Sequence, residues 1–244
     1  MKLTLAVVMP AYNEQDCIEE VVNQWTTYLD THFPQEAKLI VINDGSKDNT
    51  GAILAELSPK YPTLHAVNQP NGGHGNAVVN GYRLAVDLGA EYIFQTDSDD
   101  QFITDDFMKL WAKKDHSDFI LGFRQHRFDA PFRLFVTQIL RYSLFFIYGT
   151  LIQDSNIPFR LIKGSFMKRL LAQLPEPIPF APNIFLAVMA RKSGQNLYNI
   201  PITHKSRMTG EVSIQKMKLL KVCWQSFQEL ASFRLTLNSR IRNL

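Results

Sequence analysis

Short, largely apolar runs at residues 3–9, 39–42, 64–67, 92–95 and 119–121 alternate with stretches of helical periodicity at 15–29, 49–57, 76–88 and 104–113. Runs that stay apolar at successive positions, instead of every second one, describe strands covered on both faces. Strands of that kind with a helix between them join as a parallel sheet with right-handed crossovers. The first half of the chain is therefore committed to an α/β fold. Its polar, Gly-rich and Asp-rich segments follow the strands, at the carboxyl ends where open α/β sheets bind ligands.

The second half has another character. Residues 131–152 form a long apolar and aromatic segment interrupted by Arg133 and Arg141, suited to a helix or helix pair lying on the core or on a membrane surface. Pro175, Pro177, Pro179 and Pro182 mark a loop, since each removes a backbone donor and restricts the residue before it. A helix at 183–192 with Gly194 near its C-terminal cap and a strand at 196–202 are expected next. A basic amphipathic helix carrying Ile214, Met217, Leu220, Trp224 and Phe227 on one face closes the chain.

At 244 residues and 45% hydrophobic content the chain can bury one large core. The charge is uneven: residues 205–244 hold eight Lys or Arg against Glu211 and Glu229. No nucleic-acid reading motif accompanies that basic end, so no nucleic acid is expected; an anionic lipid surface, a phosphorylated acceptor or a solvated helix face all fit it. Cys17 and Cys223 have no metal or redox spacing, which suggests a reducing compartment and makes the cytoplasm the expected location. The run at 3–9 is too short for a signal-peptide core, and the uncharged stretch at 142–153 has about half the length a membrane span needs.

Four loop segments carry the chemistry. In Pro10-Ala11-Tyr12-Asn13-Glu14, proline bends the chain out of the strand, Tyr12 offers an aromatic face, and Glu14 can accept from a base edge or ribose. By composition this segment is equally a strand-to-helix turn. In 43–50, Asp44 is placed to accept from a nucleobase or ribose and Gly45 permits close backbone approach, while the plainer reading is an Asp-Gly turn with Ser46 or Asp48 capping the next helix. In 71–76, glycines including Gly75 open a helix as a phosphate cradle does, without the spacing of a P-loop or a dinucleotide fingerprint. The fourth, 96–101, weighs most. Asp97 and Asp99, two apart at a strand end around Ser98, can converge on one hard cation, Gln101 adds a neutral oxygen, and Mg²⁺ or Mn²⁺ prefers such donors.

Taken together, PAYNE, NDGSKDNT, NGGHGNA and DSDDQ resemble the family 2 glycosyltransferases with the GT-A nucleotide-sugar fold, and the last segment is similar to their DxD metal motif. Within that family the pattern is most similar to the dolichol-phosphate mannose synthases and other polyprenyl-phosphate glycosyltransferases. Gly122-Phe123-Arg124 resembles their phosphate-meeting strand end, 154–160 stands where they carry an Asp followed by Ser-Gly-Phe, and 204–207 with Gly210 resembles their late basic loop. Ile157-Pro158 replaces the usual Ser-Gly, and the C-terminal membrane spans of some relatives have no counterpart here.

The resemblance implies a domain over 1–210, with a nucleotide-sugar half at 1–125 and an acceptor half at 126–210, followed by the basic helix at 211–244. It implies inversion by single displacement, a donor site of Pro10, Tyr12, Glu14, Asp44, Gly75, Asp97 and Ser98, a cation on Asp97, Asp99 and Gln101, and catalytic roles for Asp99, Asp154, Arg124 and Arg207. An anionic lipid phosphate needs positive charge to position it, which Arg124, Arg133, Lys205 and Arg207 supply; an alcohol needs a base, for which Asp154 or Asp100 is the candidate. The expected partners are a UDP- or GDP-sugar and either a polyprenyl phosphate, met by peripheral association with the cytoplasmic membrane face, or a soluble glycan. From another class, a non-catalytic nucleotide-binding module would keep the fold without turnover.

Overall fold

The structure is a computed structural model; it describes residues 2–124, 131–205, 216–242 and 244, with only the main chain for 131–136 and 216–223. One seven-stranded sheet runs through it in the order β3-β2-β1-β4-β6-β5-β7. Strands β1 (Leu5–Ala11), β2 (Ala37–Asp44), β3 (Leu64–Gln69) and β4 (Tyr92–Gln95) are parallel, joined by α1 (Ile18–His32), α2 (Thr50–Leu57) and α3 (His74–Asp87). All seven residues of β1 are buried, as a strand with helices on both faces requires. After β4, a 3-10 turn at Thr104–Asp106 leads into α4 (Phe107–Trp111) and then β5 (Phe119–Arg124). The chain continues through α5 (Pro131–Tyr148), β6 (Arg160–Lys163), α6 (Gly164–Gln173), α7 (Pro182–Lys192), β7 (Tyr198–Ile202) and α8 (Lys216–Ile241).

Two expectations are corrected here. Pro10 does not bend the chain out of β1; it lies within the strand, opposite Ile42 of β2. The Val8 carbonyl accepts from Thr96 on the β4 side, and two residues on, the missing N–H of Pro10 faces that same side beyond Gln95, where β4 has ended. The stripe expected on the last helix also differs. Among the described side chains of α8 the buried ones are Leu230, Phe233 and Leu237, with the Phe233 ring 5.0 Å from Phe185 of α7, whereas Trp224 and Phe227 are exposed; the side chains of Met217 and Leu220 lie outside the described residues. Ile214 lies outside the described residues.

Two elements have no counterpart in the sequence expectations, β6 and α6; β6 inserts antiparallel between β4 and β5 with Arg160 opposite Gln95. Gly164 follows it directly, its N–H donating to the Glu91 carbonyl at 2.7 Å and its α-carbon lying against the Ala90 carbonyl. A Cβ there would overlap that oxygen. Gly164→Ala is expected to cost about 1–3 kcal/mol through backbone displacement, read as a lower urea midpoint at unchanged slope.

Candidate active site

The carboxyl ends of β1, β2 and β4 converge, and their loops are laced together. Asn13, at φ 54°, accepts from the Lys47 N–H at 2.8 Å, and its own N–H donates to Ser46 Oγ at 3.0 Å. The N–H groups of Glu14 and Gln15 donate to Thr50 Oγ1 and Asp48 Oδ2, and Gln15 Oε1 accepts from the Asn49 N–H. Asp48 also accepts from the N–H and hydroxyl of Thr50, through 3.0 and 2.6 Å. Burial pushes the Asp48 carboxyl upward, but these hydrogen bonds outweigh it and hold the group below the usual carboxylate range. The lacing leaves Tyr12 exposed at the end of β1.

Asp44, at the end of β2, is buried and accepts from Gln69 Nε2 and from the Gly72 N–H. Gly75 is buried too, yet its glycine requirement has a packing cause: a Cβ would stand 2.8 Å from the Pro179 carbonyl and 2.9 Å from that of Phe180. The close approach the sequence attributes to an anion is made here by the proline loop.

The acidic segment lies across the end of β4. Asp97 Oδ1 is buried and accepts no hydrogen bond among the described residues. Burial first and the Asp99 charge second push the Asp97 carboxyl well above its ordinary range; Glu14 adds to this, while Arg124 and Arg160 oppose it. A buried acceptor without a donor, repelled by a second carboxylate, is the environment a hard cation would relieve, so the residues present fit Mg²⁺ or Mn²⁺. The protein donor set is open. Among the described residues no group of three or more His, Cys, Asp or Glu surrounds a metal position. Asp99 accepts from the Gln101 N–H at 3.3 Å, and Gln101 Nε2 donates to the Lys205 carbonyl, which leaves the amide oxygen of Gln101 as its donor to a cation.

Two features of this segment were not read from the sequence. Cys17 is buried beneath it, its thiol 3.3 Å from the Ser98 carbonyl and 3.4 Å from Glu14 Oε2, so it joins the first loop to the acidic one. The chain after β7 is also fastened here. Phe102 and His204 form an antiparallel bridge, the Lys205 N–H donates to the Gln101 carbonyl at 2.8 Å, and Lys205 Nζ lies 3.4 Å from Asp100 Oδ2. Asp106, buried, accepts from the Thr203 N–H. The late basic loop thus begins beside the acidic segment; Arg207 and the side chain of Arg133 lie outside the described residues.

Arg124 and Asp154, expected to play separate roles, hold each other. Nε donates to Oδ2 at 2.9 Å and Nη2 to Oδ1 at 3.1 Å, with both side chains largely buried. Arg160 is completely buried and donates to the carbonyls of Ile157, Asn183 and Ser155. Next to it Gln95 Oε1 accepts from Tyr82 Oη at 2.6 Å and Asn183 Nδ2 at 2.9 Å. Arg160 thereby joins the loop after α5 to the start of α7, directly under the acidic segment.

The profile of glycosyl transferase family 2 matches residues 6–173. The fold is similar to glucosyl-3-phosphoglycerate synthase from Mycobacterium tuberculosis. In its complex with Mn²⁺, UDP and glucosyl-3-phosphoglycerate that enzyme is 18% identical, with 94% of this chain and 79% of that chain covered at a TM-score of 0.69. The same enzyme with Mn²⁺, UDP-glucose and phosphoglyceric acid gives 17% identity, 95% and 79% coverage and a TM-score of 0.67. Mannosyl-3-phosphoglycerate synthase from Rubrobacter xylanophilus is 12% identical over 98% of this chain and 76% of that one, at 0.67. At these identities the likeness establishes the GT-A fold.

Proposed function

Because the chain belongs to glycosyl transferase family 2, we propose that it moves a sugar from a UDP- or GDP-sugar to a polyprenyl phosphate at a membrane surface, with inversion at the anomeric carbon. The observation that carries the donor side is the Asp97 and Asp99 pair, in which a buried Asp97 oxygen accepts no hydrogen bond among the described residues, next to the loops after β1 and β2. Pro10, Tyr12, Glu14, Asp44, Asp97 and Ser98 would line the nucleotide side, Gly75 being taken up by the proline loop, and Asp97, Asp99 and Gln101 would hold Mg²⁺ or Mn²⁺. When bound, the cation supplies neutralisation of the diphosphate as it leaves. The acceptor oxygen forms its bond to the anomeric carbon as the bond to the diphosphate breaks.

The acceptor is argued from two features. Asp154 gives both carboxylate oxygens to Arg124, which suits it to shaping the acceptor loop and not to taking a proton from an alcohol. A phosphate nucleophile is already anionic and needs no base. On the outside, α5 exposes Ile139, Tyr142, Phe145 and Phe146, and the adjoining α8 exposes Trp224 and Phe227, whose rings stack 6.0 Å apart. Exposed aromatic and aliphatic side chains on helices whose sequence also carries Lys and Arg are what interfacial binding uses; among the described residues no helix is long and apolar enough to cross a membrane.

A second reading is favoured by the fold neighbours, one of which was crystallised with phosphoglyceric acid: a small soluble phosphorylated acceptor. The test offers UDP- and GDP-sugars with Mn²⁺ to the protein with a short polyprenyl phosphate, with phosphoglycerate or with a glycan, alongside flotation on anionic vesicles. Transfer to the lipid phosphate with co-flotation is expected. Transfer to phosphoglycerate or glycan alone, without flotation, would move the acceptor into solution.

A further inference from the structure

The choice between the two donor bases is written in the surroundings of Asp44, and the argument rests on the donor reading above. Only 3% of Asp44 reaches solvent. Its Oδ1 accepts two hydrogen bonds, from Gln69 Nε2 at 2.7 Å and from the Gly72 N–H at 2.9 Å. Gln69 is itself fixed, since its Oε1 accepts from Asn80 Nδ2 of α3 at 2.9 Å. A carboxylate oxygen has about two lone-pair directions, so Oδ1 is filled and Oδ2 is what the carboxylate has left for a ligand. The loop after β3 closes the same side. Gly45, at φ 66°, lies so near it that a Cβ would stand 2.7 Å from the Asn71 nitrogen.

Nucleobases differ in what they offer such an acceptor. Uracil presents one ring N–H between two carbonyls, which a single oxygen satisfies. Guanine presents a ring N–H and an exocyclic N–H side by side, a two-donor edge that suits both oxygens of a free carboxylate. Cytosine presents a ring lone pair, which a carboxylate repels. At Asp44 the second donor of guanine would be buried without its acceptor, and an unmatched buried polar group is what specificity sites use for rejection. We propose that Gln69, held by Asn80, is a specificity-determining residue that leaves Asp44 one oxygen for the base and so sets the donor as a uridine, not a guanosine, diphosphate sugar.

The test is titration calorimetry of the whole chain with UDP, GDP and CDP in the presence of Mn²⁺. UDP is expected to bind about tenfold or more tightly than GDP, with CDP weaker than UDP, since one unmatched buried donor is worth that much. Gln69→Leu frees one of the two acceptor positions on Oδ1, the Gly72 N–H keeping the other, and should narrow the UDP-to-GDP ratio about fivefold or more; Asn80→Ala, which only loosens Gln69, should move the ratio the same way by less and serves if the first variant does not fold. A general loss of structure would weaken both nucleotides without changing their ratio. GDP binding as tightly as UDP, or a ratio unmoved in a folded variant, overturns the assignment while leaving the sugar-transfer reading intact. No binding of any of the three overturns the donor reading and the assignment with it.

Discussion

Asp97→Asn is expected to lower Mn²⁺-supported turnover by about 10²–10³-fold, the usual cost of removing one preorganised charge contact at a reacting centre, while leaving the metal-free protein at least as stable as the wild type. The two effects have one origin. The Asp97 carboxyl is held above its ordinary range, by burial and then by Asp99. The folded chain therefore keeps its proton at pH values where the unfolded chain has lost it, so this group contributes less stability as pH rises from the ordinary carboxylate range toward the folded value. Asn removes that dependence, and the thermal midpoint of the variant should decline less between pH 5 and 7, in the order of a few degrees. Scanning calorimetry with and without Mn²⁺ reads the rest. A hundredfold excess of cation over its Kd should raise the wild-type midpoint by about 5–10 °C and leave the variant unmoved. A variant still stabilised by Mn²⁺ would place the cation elsewhere.

Arg124→Ala should be the most destabilising change at the site. It leaves Asp154, whose side chain is 8% exposed, as a buried carboxylate without its two charge-assisted hydrogen bonds, a situation that costs about 3–5 kcal/mol. Removing the partner as well, in Arg124→Met with Asp154→Leu, should restore most of that stability, because apolar groups of similar volume replace a buried pair without leaving a charge behind. Urea denaturation of Arg124→Met, Asp154→Leu and the double variant closes the cycle. A cost under about 1 kcal/mol for Arg124→Ala would mean that the pair behaves as a surface contact and that Arg124 is available to a phosphate.

The parallel half of the fold was legible because each of its strands is apolar at successive positions and is followed by a loop whose chemistry is local. Asp97 and Asp99 are two residues apart, and nothing beyond a strand end is needed to bring them together. The half after β5 depends on pairings that no local pattern records. Arg124 and Asp154 are thirty residues apart, and nothing in the spacing prefers that pair to Asp154 with Arg160. Strand β6 is four residues long with a cation at each end, a composition that reads as loop. Its first residue is buried because backbone carbonyls from two other segments receive its guanidinium. On α8, Trp224 and Phe227 are apolar and helically spaced, but the core contact is made later, through Leu230, Phe233 and Leu237; amphipathic spacing identifies a face without saying what lies against it.

The antiparallel insertion of β6 also bears on the order in which the molecule can be made. Synthesis from the N-terminus delivers β1 to β4 early, but the outer edge of β4 stays uncovered until residues 160–163 emerge, and β5 is not bonded directly to β4 at any stage. A nascent chain that ends near residue 125 therefore presents the unpaired edge of β4, with the acidic segment just past the end of that strand, and an open strand edge is the surface most apt to pair with another chain. Residues 1–125 and the residues that follow them are thus expected to fold as one event, and a chain released early should behave as a sticky intermediate instead of a smaller folded protein.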